Sequence, residues 1–214
     1  MTKKELEKIV KNYKINIGQV NELIEEIIIT ENITEEYKVK LKEMGIIYQL
    51  SFLEAFNHDF FVELFSDQPY IIIAKEIKNI KDQEKLKLSF KQIIELNAHE
   101  LLLEKMAEKM YSEVFDFYKL GVTYFVRKLL DSFLELEFSR YARERGLSTD
   151  ELQAFKNYRN KLVHRSIKER KPNNSIYLDN LKLKNLIIDY IDLIEELVSL
   201  KYYDEDRRRE IINL

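Results

Sequence analysis

Late in the chain the sequence runs Arg159-Asn160-Lys161-Leu162-Val163-His164. A guanidinium, an amide and an imidazole at this spacing suit cleavage of RNA without a metal. Attack of a ribose 2′-hydroxyl on the adjacent phosphate requires one proton to be removed and another delivered to the leaving 5′-oxygen. His164 fits either task, because an imidazole titrates at about 6.5 when unperturbed. Negative charge grows on the non-bridging oxygens in the transition state, and a guanidinium stays charged while contacting two of them. Asn160 is a neutral donor and acceptor that orients the phosphate or the imidazole.

The spacing decides how these groups can meet. At 100° per residue, Asn160 and His164 lie about 40° apart on one helix face, whereas Arg159 is about 140° from His164 and roughly 7.5 Å away along the axis. Convergence therefore needs the full reach of the arginine, or two copies of the helix. Leu152, Phe155, Leu162 and Val163 supply apolar positions beside the polar edge. Lys161, Arg165 and Lys168 are placed to neutralise flanking phosphates, contacts that weaken as salt rises. Tyr158 is placed either to stack on a base or to pack.

On these residues the chain resembles the HEPN superfamily of helical-bundle ribonucleases and nucleotide-binding domains. Their signature is an Arg, a polar residue, a short spacer and a His on a late helix. The residue-level resemblance covers this helix alone. It implies a homodimer in which two motif helices face each other across one cleft. It also implies metal-independent RNA cleavage, with Arg159 stabilising the phosphate, His164 as general acid or base and Asn160 positioning. No cofactor is implied. The context it suggests is a prokaryotic toxin or antiviral effector, with an antitoxin or regulatory protein as a further partner. Relatives paired with nucleotidyltransferase antitoxins often carry a Tyr two residues after the His. Ser166 stands there, which argues against adenylylation at this position. The alternative is a non-catalytic module of the same type that binds RNA, a nucleotide or a protein.

Other constellations fail on spacing. His99-Glu100 begins a zincin-like pattern, but Leu103 occupies the second ligand position. Glu95 and His99 are four apart, not the three of a di-metal Glu-x-x-His motif. With no cysteine, thiolate metal sites, disulfides and Cys nucleophiles are excluded. Four scattered glycines make no phosphate-cradling loop.

The elements that carry the motif are expected to be helices. The 214 residues include only 4 Gly and 2 Pro, too few for the turns of a sandwich, barrel or α/β fold. The chain is 45% hydrophobic and 34% charged, which suits a globular protein. The expectation is an all-α, up-and-down bundle of long antiparallel helices, one domain over 1–214. A HEPN-like core spans about 85–200, and residues 1–80 add N-terminal helices.

A first helix carries Leu6, Val10, Tyr13 and Ile17, with a bend at Gly18. A second begins near Thr34 and is ended or interrupted by the FNHDFF stretch. Ser66-Asp67-Gln68-Pro69 caps a further helix opening on YIIIAKEI. Long helices then cover about Asp82 to Gly121 and Val122 to Arg145, the latter ended by Gly146. Ser148 with Glu151 forms a capping box for a helix over about Thr149 to Lys168. Pro172 to Ser175 is a loop, and a last helix runs from about Leu178 to Leu200, before a tail with at most a short turn.

Net charge is −3, but residues 139–171 carry +6 and the remainder −9. A basic segment on an acidic chain is a candidate polyanion site, and the imbalance raises the option that the acidic N-terminal half covers it. The longest apolar runs are about five residues, far below the 18 of a spanning helix, and no secretory signal is expected from the opening MTKKELEKIV. A cytoplasmic protein without membrane contact is the resulting expectation.

Overall fold

The computed structural model describes residues 3–30, 33–67, 99–116, 121–130, 132–164 and 179–202. They form an all-α bundle: α1 (Lys3–Thr30), α2 (Glu35–Asp67), α3 (His99–Met110), a π-helical turn (Tyr111–Phe115), α4 (Val122–Leu129), α5 (Ser132–Glu144), α6 (Thr149–His164) and α7 (Asn180–Tyr202). No strand occurs among the described residues. The YIIIA run, the Pro172 loop and the tail after Tyr202 lie outside them.

The bundle is organised around α2, which packs on α1, α3, α6 and α7. Its buried face reads Ile46, Leu50, Leu53, Phe56, Phe60, Phe61, Leu64 and Phe65. These recur at the three- and four-residue steps of a helical stripe. Each large apolar side chain removed from water contributes about 1.5–3 kcal/mol. One core cluster continues from this stripe into every other helix, from Leu6 of α1 to Val198 of α7.

Two sequence expectations are corrected. The FNHDFF stretch neither ends nor interrupts α2. Its phenylalanines fall on the buried stripe, and Asn57 Nδ2 donates back to the Leu53 carbonyl at 2.8 Å while its Oδ1 accepts from the Tyr190 hydroxyl at 2.9 Å. The element expected over Val122 to Arg145 is two helices, because Leu130 takes an extended conformation (φ −97°, ψ 156°) after α4. Leu130 is itself fully buried, so core packing outweighs helical continuity there.

Other boundaries follow local chemistry. α5 ends as expected at Gly146, whose φ of +70° suits a residue without a Cβ. Leu147 N donates to Ala142 O at 2.8 Å and Gly146 N to Arg143 O at 3.2 Å, the paired bonds of a Schellman terminus. Ser148 Oγ accepts from Glu151 N at 3.1 Å, which is the expected cap of α6. The Glu151 side chain does not close the box; it pairs with Lys182 Nζ of α7 at 2.8 Å and so ties the start of α6 to α7. Gln153 Oε1 accepts from Val122 N at 2.9 Å, which fixes α6 against the first turn of α4.

Candidate functional site

The motif lies on the last turns of α6. Leu152, Phe155 and Leu162 are buried against the bundle, as their spacing predicts. Val163 departs from that expectation: it is 50% exposed. Lys161 is exposed. Tyr158 is half-buried against the core, and its hydroxyl donates to Glu43 Oε1 of α2 at 3.4 Å. Packing is thus the role visible for Tyr158. His164 is the last described residue of α6, one turn beyond Asn160. Arg165 and Lys168 lie outside the described residues.

Arg159 and Asn160 are brought together, with Arg159 Nη1 donating to Asn160 Oδ1 at 3.2 Å. The guanidinium does not point into an open cleft. It turns inward onto α2, where Nη2 lies 3.3 Å from Glu54 Oε2. The two side chains are 12% and 14% exposed. The basic helix edge is therefore anchored to α2 by a partly buried ion pair within one chain.

Two further charges complete the cluster. Lys156, one turn before Asn160, is 2% exposed. Asp116 follows the π-helical turn, which stacks Phe115 on Phe61 at 4.4 Å and sets Tyr111 edge-on to His58 at 4.9 Å. Asp116 bears electrostatically on both Glu54 and Lys156. Two cations and two carboxylates thus share a region largely shielded from water.

Burial pushes the Glu54 carboxyl up to about 7, against the opposing pull of Arg159 and Lys156 and with a further push from Asp116. Burial likewise lowers the Lys156 ammonium, while Glu54 and Asp116 pull it back. Glu54 Oε1 is buried with no hydrogen-bond partner among the described residues. One oxygen of this carboxylate serves Arg159 and the other is unserved.

Glu54 and Lys156 are absent from the residues singled out in sequence. A signal existed for Glu54. It stands four residues after Leu50 and three before Asn57, so it falls inside the buried stripe of α2. A charge on an apolar stripe requires a buried partner. The sequence does not say which of its many cations that partner is.

Two further cations of the basic segment are engaged within the chain. Arg145 Nη2 pairs with Glu196 Oε2, and Arg140 Nε lies 3.9 Å from Glu144 Oε1 with its guanidinium over the Tyr141 ring. These match a plain surface role. Among the described residues, no group of three or more His, Asp or Glu side chains is placed to hold a metal ion, and no helix is long and apolar enough to cross a membrane.

No family model, no curated protein and no solved structure matches this chain.

Proposed function

We propose that the chain is a metal-independent endoribonuclease of the HEPN type, cutting RNA by 2′-hydroxyl attack in a cleft between two copies of α6. The observation that carries this reading is the Arg159–Asn160 side-chain bond on the helix that carries His164. Guanidinium and amide are already coupled there, one turn from the imidazole-bearing position. In this reading Arg159 meets the phosphate, Asn160 steers the guanidinium, and His164 moves the proton. Lys161, exposed on the same terminal turns, meets a flanking phosphate, as do Arg165 and Lys168. Tyr158 is kept as a substrate contact only where RNA reaches past Glu43. The biological setting proposed with it, a cytoplasmic toxin or antiviral effector neutralised by a partner protein, rests on the resemblance alone.

The test is RNA cleavage by purified protein in EDTA. Wild type is expected to cut and His164→Ala to lose activity. Abolition by EDTA, or full rate in His164→Ala, overturns the reading.

A second reading is favoured by the ion pair between Arg159 and Glu54. A guanidinium already neutralised by its own chain suits a non-catalytic module whose α6 edge only binds. Tight, salt-sensitive RNA binding without turnover supports that reading over the first.

A further inference from the structure

We propose that Glu54 is an internal competitor for Arg159: its carboxylate holds the guanidinium in the resting chain, and an RNA phosphate engages Arg159 only by displacing it. The inference rests on the proposed RNA-acting role of Arg159 and adds its regulation.

The geometry resembles an occupied anion site. Arg159 Nη2 sits 3.3 Å from Glu54 Oε2, and the carboxylate occupies the place that a phosphate oxygen takes at an arginine. Arg159 also lies at the edge of the buried region, with 12% of its side chain exposed, so its long side chain can swing outward without breaking α6. Lys156 is anchored deeper, at 2% exposure, and stays behind.

Charge balance sets the consequence. The groups that act on Glu54 among the described residues are Arg159 and Lys156 of α6 and Asp116 after the π-helical turn. On its own helix, His58 stands one turn further along α2, engaged with Asp59 at 2.9 Å. With Arg159 in place, two cations face two carboxylates. When Arg159 leaves, Lys156 is the cation still acting on Glu54 among the described residues and Asp116 still opposes it, so the Glu54 negative charge becomes less favourable in a region largely shielded from water. A proton on Glu54 relieves this. The carboxyl, already titrating near 7, takes that proton readily. Phosphate engagement by Arg159 is therefore linked to proton uptake at Glu54, and RNA affinity rises as pH falls toward neutrality.

The test uses a fluorescent 2′-O-methyl RNA oligonucleotide, which lacks the attacking hydroxyl, so binding is read without cleavage. At fixed salt, wild-type affinity is expected to rise by up to about tenfold per pH unit between pH 9 and 7. It should level off below about 7. Glu54→Gln binds more tightly than wild type at pH 8.5, by about fivefold or more for a single linked proton. It matches wild type near pH 6. Arg159→Ala removes the difference. A folded Glu54→Gln that binds no better than wild type at pH 8.5 overturns the proposal, as does a gain that persists without Arg159.

Proton uptake measured on wild type by titration calorimetry in buffers of different ionisation enthalpy keeps the test open if Glu54→Gln fails to fold. Uptake of about one proton at pH 8.5, lost in Arg159→Ala, is expected from the linkage. No uptake overturns the proposal. The outcomes separate from those of the ribonuclease reading. A Glu54-dependent binding difference without any cleavage in EDTA sinks catalysis and leaves the competitor standing. His164-dependent cleavage with no effect of Glu54→Gln does the reverse. No binding by any variant between pH 6 and 9 overturns both.

Discussion

Arg159 and Glu54 stand 105 positions apart in sequence and 3.3 Å apart in space, and they join the motif helix α6 to the central helix α2. The pair carries opposing physical costs. Removing both charges from water is unfavourable, and their attraction offsets that only while both are present.

Removing Arg159 alone should therefore cost more than removing both. Arg159→Ala leaves Glu54 facing Asp116 with Lys156 as its remaining cation, and is expected to destabilise the fold by about 1–3 kcal/mol, below the 3–5 of a fully sealed pair. Arg159→Ala with Glu54→Gln should recover most of that loss. Chemical denaturation of the four proteins in a double-mutant cycle measures this, and simply additive losses would contradict it.

The raised carboxyl gives stability a defined pH dependence. Glu54 titrates near 7 in the fold, above the 4.5 of a free glutamate. Its contribution is thus fully present below about 4.5 and is lost as pH rises through about 7. Glu63 and Asp189 are also pushed up by burial, with the same sign, so a variant must isolate Glu54. The gap between the melting temperatures of Glu54→Gln and wild type should widen in favour of the variant from pH 5.5 to 8.5. A constant gap would count against it.

At the α1–α2–α7 junction, Gly45 is needed for close approach. A Cβ there would overlap Ile24 Cδ1 and lie 2.6 Å from Asn180 Oδ1. Asn180 cannot easily yield, since its Oδ1 accepts from Gln49 Nε2 at 3.2 Å and its Nδ2 donates to the Lys42 carbonyl at 3.2 Å. Gly45→Ala is expected to cost about 1–3 kcal/mol through overpacking, despite the better helix propensity of alanine. An unchanged or raised melting temperature would show that the junction has room.

Tyr190→Phe probes the buried polar link between α7 and α2. The Tyr190 hydroxyl is sealed in the core and donates to Asn57 Oδ1. Its loss leaves a buried acceptor unserved, for about 1–3 kcal/mol. Hydrogen exchange at α2 amides around Asn57 should quicken in step. A variant as stable as wild type would mean the amide finds another partner.

The all-α architecture was legible from the scarcity of glycine and proline and from helical periodicity. So were the Gly146 terminus and the Ser148 cap, because such signals are local and act within a few residues. The continuity of α2 through Phe56, Asn57 and Phe60 was not, since it depends on Tyr190 meeting Asn57 from a distant helix. At the candidate site, the helix and its packing face could be read from Leu152, Phe155 and Leu162, while the inward turn of Arg159 could not. That orientation depends on Glu54, whose proximity to α6 is set by tertiary packing.

The most direct measurement of the proposed chemistry is the identity of the RNA ends made in EDTA. Attack by the 2′-hydroxyl leaves a 2′,3′-cyclic phosphate on one fragment and a 5′-hydroxyl on the other. Wild type should yield these ends, and His164→Ala and Arg159→Ala should yield none. Fragments bearing 5′-phosphates, or the same cyclic-phosphate products at full rate from His164→Ala, would contradict the account.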